Sequence, residues 1–239
     1  MVVANRDEYY DRASEPLDWW GSTGVLAGRD LQAGGTWMGA ALQGRWAAVT
    51  NFREKREAPA PLSRGELVAG FLHYETAPHS YLEQVQARAD SYGGFNLLVG
   101  TLQATNPQLF CYSNRRGQAL PVGDGIHTLS NHLLDTPWPK AELARLKLGR
   151  VLRDEELTLE ALLAVLADRE HFADHELPVT GVGIEMERVL SPPFIVAEGY
   201  GTRCTTVLMV DNLGNITFAE QSYLPEGEKG PLALHEFKA

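Results

Sequence analysis

Gly94-Phe95-Asn96-Leu97-Leu98-Val99-Gly100-Thr101-Leu102 carries apolar side chains on both alternations of an extended chain. A strand with one solvated face alternates apolar and polar residues, whereas one that is apolar on both faces must be covered on both. Downstream, Gln108 to Ser113 and Gln118 to Val122 read as partner strands joined by the turn Arg115-Arg116-Gly117. Upstream, Gly35 to Leu42 and Arg45 to Thr50 read as a hairpin closed by Gln43-Gly44, where glycine tolerates positive φ. Ser63-Arg64-Gly65-Glu66 has capping-box spacing before Leu67, Val68, Phe71 and Leu72, which predicts a helix. Ser80 to Asp90 predicts a second, with Tyr81, Leu82, Val85 and Ala89 inward. Lys140 to Leu152 and Thr158 to Ala167 predict two more, and Thr205 to Val210 with Ile216 to Gln221 a late hairpin. Strands, two helices, strands, two helices, strands is the order expected of two stacked sheets with helices on their outer faces. The fold class is therefore α+β, a four-layer αββα sandwich with mainly antiparallel sheets. A doubly wound parallel sheet does not fit, because no glycine-rich loop joins a strand to a helix.

The length, 239 residues, suits a single domain over 1–239, with 225–239 a loose tail rich in Pro, Gly and Glu. Apolar residues make up 44% and charged residues 22%, enough for a sizeable core. The net charge of -10 argues against a nucleic-acid partner, which needs clustered cations. The clusters Arg53-Glu54-Lys55-Arg56 and Arg115-Arg116 read as solvated surface. No apolar run approaches the roughly 20 residues of a membrane helix, and no leader is visible. With two unspaced cysteines, Cys111 and Cys204, a reduced cytoplasmic protein is expected. The partners expected are a small-molecule ligand or substrate and a second copy in a homodimer.

Val2-Val3-Ala4 reads as the tail of a buried strand that opens directly into Asn5-Arg6-Asp7-Glu8. Strands average about five or six residues, so the stump suggests that the chain begins mid-element. Rigid strand ends that expose polar side chains on loops are a common way to build a site. Thr50-Asn51 and Ser130-Asn131-His132 repeat that pattern, and Arg203 begins a later strand. An asparagine amide donating to an oxyanion is worth roughly 10²–10³ in rate. Arginine is a permanently charged fork for carboxylates. His171 and His175, four apart, would share a helix face as zinc ligands do, but Leu177-Pro178 ends the element and no metal is expected. Tyr9, Tyr10, Trp19 and Trp20 read as packing, and Cys204 as a buried structural thiol.

Ala4-Asn5-Arg6-Asp7-Glu8-Tyr9-Tyr10-Asp11-Arg12 resembles the signature of the NRDE family, the relatives of transport and Golgi organisation protein 2. Similar family matches follow at Leu26–Asp30, Ala33–Gly39, Thr50-Asn51, Gly94–Leu98, Leu129–Asn131 and Tyr200–Val207, covering nearly the whole chain. The resemblance implies the αββα sandwich of the N-terminal nucleophile hydrolases. There a Cys, Ser or Thr at the start of the mature chain attacks an amide or ester, and its own amine is the base. It implies Arg6 and Asp7 beside the nucleophile, Asn51 and Asn131 as oxyanion or substrate donors, and Arg203 as an anchor for an acidic group. Family members usually open with Met-Cys and a full apolar strand, so the first strand is expected to be truncated here and the nucleophile to lie upstream of Met1.

Two functions follow. One is a cysteine amidohydrolase or acyltransferase on small amide or acyl compounds. The other is a non-catalytic ligand-binding or carrier protein handling haem or acyl and lipid compounds, with His127, His132, His171 or His175 the residues that would reach haem. No cofactor is assigned.

Overall fold

The computed structural model describes residues 1–55, 60–103, 107–153 and 157–238. Arg56 of the basic cluster and Ala239 of the tail lie outside them. In chain order come β1 (Val2–Tyr9), β2 (Ser14–Trp19), β3 (Val25–Asp30), β4 (Met38–Ala41), β5 (Arg45–Asn51), α1 (Gly65–His73) and α2 (Pro78–Gln86). Then follow β6 (Phe95–Thr101), β7 (Leu109–Ser113), β8 (Gln118–Pro121), α3 (Pro139–Val151), α4 (Leu159–Ala164) and α5 (Ile184–Val189). The chain closes with β9 (Val196–Ala197), β10 (Tyr200–Val210), β11 (Asn215–Tyr223) and β12 (Lys229–Lys238). β2 to β8 form a seven-stranded antiparallel sheet in sequence order, and β1-β10-β11-β12, with β9 on β10, form the second.

The double-faced reading of β6 holds. Phe95, Leu97 and Val99 point outward with Val49 and Ala47 of β5, onto Leu67, Phe71 and Leu72 of α1 and Tyr81, Leu82 and Val85 of α2. Leu98, with Trp46, Ala48, Met38 and Leu26, points inward against Leu208, Ile216 and Phe218 of the second sheet. Each buried side chain of this size stabilises the fold by about 1.5–3 kcal/mol relative to exposure. On the far side α4 packs on β10, with Leu162 and Val165 buried. The result is an α+β two-sheet sandwich with helices on both sides, as the element order predicts.

Several details differ from the sequence expectations. Asn5-Arg6-Asp7-Glu8 lies within β1, paired to β10, and not in a loop after a strand end. The eleven-residue β10 brings polar partners opposite: Thr205 Oγ1 donates to Asn5 Oδ1 (2.7 Å), and Thr202 Oγ1 to Asp7 Oδ1 (2.7 Å). Such pairs let a polar segment stay in a ladder. The capping box at Ser63 does not form; Glu66 instead accepts from Tyr92 Oη and Arg88 Nη1. The tail expected to be loose is β12, whose Ala233 and Phe237 enter the intersheet core beneath Trp19. Residues 171 and 175 are not on one helix; only a short turn, Asp174–Glu176, forms there.

Candidate functional site

β1 is an edge strand: β10 pairs one side of it, and the other side opens on a cavity of about 920 Å³. The cavity runs past the ends of β1 and β5, the segment Ile126–Asn131, the start of α3 and the inner face of β10 and β11. All five residues singled out in the sequence, Arg6, Asp7, Asn51, Asn131 and Arg203, line it. They are not equivalent once placed.

A register shift between Arg6 and Asp7 turns successive side chains of β1 into different surroundings: Arg6 is opposite Cys204, Asp7 opposite Thr202, and Arg203 is left without an opposite residue. Bulges of this kind re-aim side chains beside sites. Arg203 Nη1 donates to the carbonyls of Tyr9 (2.8 Å), Tyr10 (3.3 Å) and Arg12 (3.3 Å), so that nitrogen clamps the turn after β1. Arg6 is different. Its side chain is only 13% exposed, its one ion pair within 4.0 Å is to Glu8, Asp7 and Glu220 lie within its electrostatic reach, and among the described residues its guanidinium makes no hydrogen bond. It faces the cavity with its donors open to it.

Asn131 Nδ2 donates to the Asn51 carbonyl (3.1 Å), and the Asn131 carbonyl accepts from the Arg53 amide (2.6 Å). Asn131 therefore ties the 126–131 segment to the end of β5. The Asn51 side-chain amide has no partner among the described residues and lies exposed at the cavity.

Asp7 is walled in, and burial raises its pKa against the lowering influence of Lys140, Thr202, Arg53 and Arg6. Lys140, at the second residue of α3, is pushed down to about 8, first by burial and then by the Arg53 cation. Lys140 Nζ donates to the Leu190 carbonyl (3.0 Å). Arg53 is not solvated surface, as its basic cluster suggested. It is buried, with Nη1 2.7 Å from Glu187 Oε2 and its guanidinium 4.8 Å over the Trp138 ring. Glu54 of the same cluster pairs with Arg115, the other presumed surface cation.

Sequence reasoning missed Lys140 and Arg53. The available signal was local: a cation directly after Trp138-Pro139 at a helix start is electrostatically misplaced. On the inner side Glu220 accepts from the Leu17 amide (2.9 Å), and burial raises its pKa. Cys204 is buried with its thiol pushed well up, and Cys111, in β7, is pushed up to about 11. Neither has the electropositive, lowered-pKa setting of a reactive thiolate. His127 is held by Asp135 (2.7 Å) and Gly123 (3.2 Å), and His171 by the Arg188 carbonyl (2.7 Å). His132 packs between Phe52 and Trp138. Among the described residues no group of three metal-type ligands is brought together, and no helix is long and apolar enough to cross a membrane.

An antiparallel two-sheet sandwich whose open edge strand carries Asn5-Arg6-Asp7-Glu8 beside a deep cavity defines the class of protein. The chain matches the family described as Transport and Golgi organisation 2 over residues 1–225, and it belongs to that family, also called NRDE. It is 37% identical to the Transport and Golgi organization protein 2 homolog of Bos taurus, across 100% of this chain and 92% of the relative. The homologs of Homo sapiens and Mus musculus are 35% and 34% identical, each across 94% of this chain and 86% of theirs.

Proposed function

We propose that the cavity along β1 binds a small acyl or amide compound bearing a carboxylate, which Arg6 receives. The observation that carries this reading is the half-buried Arg6 side chain, whose guanidinium faces the cavity with no hydrogen bond among the described residues. A guanidinium at a cavity wall with no hydrogen bond among the described residues has its donors available for a charge-assisted pair with a bound carboxylate. Asn51 supplies a second free donor at the same cavity. On this reading the described residues bind the compound without turning it over, because neither cysteine is an activated nucleophile.

A second reading is amide hydrolysis or acyl transfer on an N-terminal nucleophile type of scaffold. It is favoured by the oppositely shifted Asp7 and Lys140 in one cavity, since such perturbed groups cluster at catalytic sites. One experiment tests both. Calorimetric titration with N-octanoylglycine, which carries an acyl chain, an amide and a carboxylate, is run alongside an assay for released glycine. Binding that weakens about 10- to 100-fold in Arg6→Ala supports the binding reading, the loss expected for a charge-assisted pair. Glycine release that is lost in Asp7→Asn supports the catalytic reading. Equal affinity in wild type and Arg6→Ala, without turnover, removes both for this compound class.

A further inference from the structure

Lys140 is an amine whose charge is opposed from several sides. It occupies the second residue of the thirteen-residue α3, where the helix dipole places positive partial charge and disfavours a cation. Arg53 is a neighbouring cation, fixed by Glu187 at 2.7 Å and therefore unable to swing away. Asp7 and Glu187 are the carboxylates that favour the ammonium form, yet among the described residues no carboxylate oxygen lies within 4.0 Å of Nζ. The nitrogen has one acceptor, the Leu190 carbonyl, and lies on the cavity wall. A lysine desolvated beside a second cation is the arrangement that makes an amine nucleophilic.

We propose that Lys140 is a nucleophilic amine of this cavity and condenses with a small aldehyde or ketone to form an imine. The free Nζ lone pair attacks the carbonyl carbon, an N–C bond forms, and the C=O π pair moves to oxygen. That oxygen takes up the two protons the nitrogen loses and leaves as water, so the product is a C=N bond and nothing is oxidised or reduced. Loss of water from the intermediate needs an acid near neutral pH. Asp7, which lines the same cavity with its pKa raised by burial, is suited to carry that proton. This need for an acid favours imine formation over simple acyl capture. The proposal concerns a different cation from Arg6 and stands whether or not N-octanoylglycine binds.

The chain has five lysines, so a site-resolved test is practical. The intact protein is treated with formaldehyde or hexanal and cyanoborohydride at pH 7.4, and alkylation is mapped by peptide mass at Lys55, Lys140, Lys147, Lys229 and Lys238. Lys140 is expected to react more than about tenfold faster than the exposed Lys55 and Lys229, because a lowered pKa leaves far more free amine at this pH. With hexanal the Lys140 rate should saturate with concentration while the exposed sites stay linear, and raising the pH to 10 should shrink the preference. If Lys140 reacts no faster than Lys55 with either aldehyde, or its hexanal rate is linear, the proposal is overturned. The wild-type comparison is internal, so it does not depend on any variant folding.

Discussion

Thr202 Oγ1 donates to Asp7 Oδ1 at 2.7 Å while accepting from the Ile195 amide at 2.9 Å. One hydroxyl thus satisfies the edge-strand carboxylate and the backbone leading into β10. Thr202→Val conserves shape but strands both partners in a buried setting. The expected cost is about 2–4 kcal/mol, from two buried groups left unpaired. Urea unfolding at pH 7 measures it, and a loss below about 0.5 kcal/mol would mean that water replaces the hydroxyl.

Asp7 itself predicts a pH dependence of stability. Its folded-state pKa is raised by burial, so the folded chain holds this proton more tightly than the unfolded chain does. The contribution from this group is therefore fully present at low pH, and it falls as pH rises from the unfolded value, near 3.8, through the folded one. Asp7→Asn keeps the Thr202 hydrogen bond and removes the charge. It should raise Tm at pH 7 relative to wild type, and the gain should fade towards pH 4. Each unit of displacement is worth about 1.4 kcal/mol. Thermal melts of both proteins across that range decide it; a lower Tm for Asp7→Asn at pH 7 would show that attraction to Lys140, Arg53 and Arg6 outweighs burial.

The sandwich was legible because β6 and β5 alternate two apolar faces, a pattern that periodicity reads directly. That Arg6, Asp7, Asn51 and Asn131 share a cavity was legible to the extent that each reads as a polar residue at the end of an extended segment. That Asn5 to Glu8 stay inside a strand was not, because the threonines that satisfy them lie almost 200 residues away in β10. β12 was hidden by Pro225-Glu226-Gly227, which reads as loop although the residues after it alternate correctly into the core. Lys140 showed in the sequence only as a cation misplaced at a helix start, and Arg53 not at all, for a related reason. Their meaning depends on Asp7, Glu187 and Leu190, which come from different elements.

The Arg53–Glu187 pair should behave as a buried ion pair. Both side chains are nearly inaccessible, and Glu187 Oε1 also accepts from the Thr180 amide (3.1 Å) and hydroxyl (2.5 Å). Arg53→Met leaves that carboxylate buried without its cation, at an expected cost of about 3–5 kcal/mol. The double variant Arg53→Met/Glu187→Leu should recover part of the loss. Denaturant midpoints of the three proteins give the coupling, and simple additivity of the single losses would contradict it.

Neither thiol should react quickly in the native protein. Burial pushes Cys111 up to about 11, and burial and Glu220 push Cys204 well above its ordinary value. With Ellman's reagent at pH 7.5 the folded chain should show almost no fast phase, and both thiols should appear in urea. A rapid native equivalent would mean that Cys204 is reachable from the cavity that it lines.

Two adjacent glycines separate backbone strain from close approach. Gly34 (φ +70°) and Gly35 (φ +74°) both lie in the left-handed region that favours glycine. A Cβ at Gly34 would meet nothing within 4 Å, whereas one at Gly35 would lie 2.5 Å from the Gly65 carbonyl carbon and oxygen and 3.0 Å from the Glu66 amide nitrogen. That backbone is the start of α1, and Thr36 N donates to Gly65 O (3.3 Å), so it cannot retreat without opening the α1 to β4 junction. Gly34→Ala should cost about 1 kcal/mol, the order expected for a non-glycine residue held at positive φ. Gly35→Ala adds overpacking of about 1–3 kcal/mol against rigid backbone. Paired urea titrations measure the difference directly, and equal losses at the two positions would show that the Gly35–Gly65 contact yields without cost.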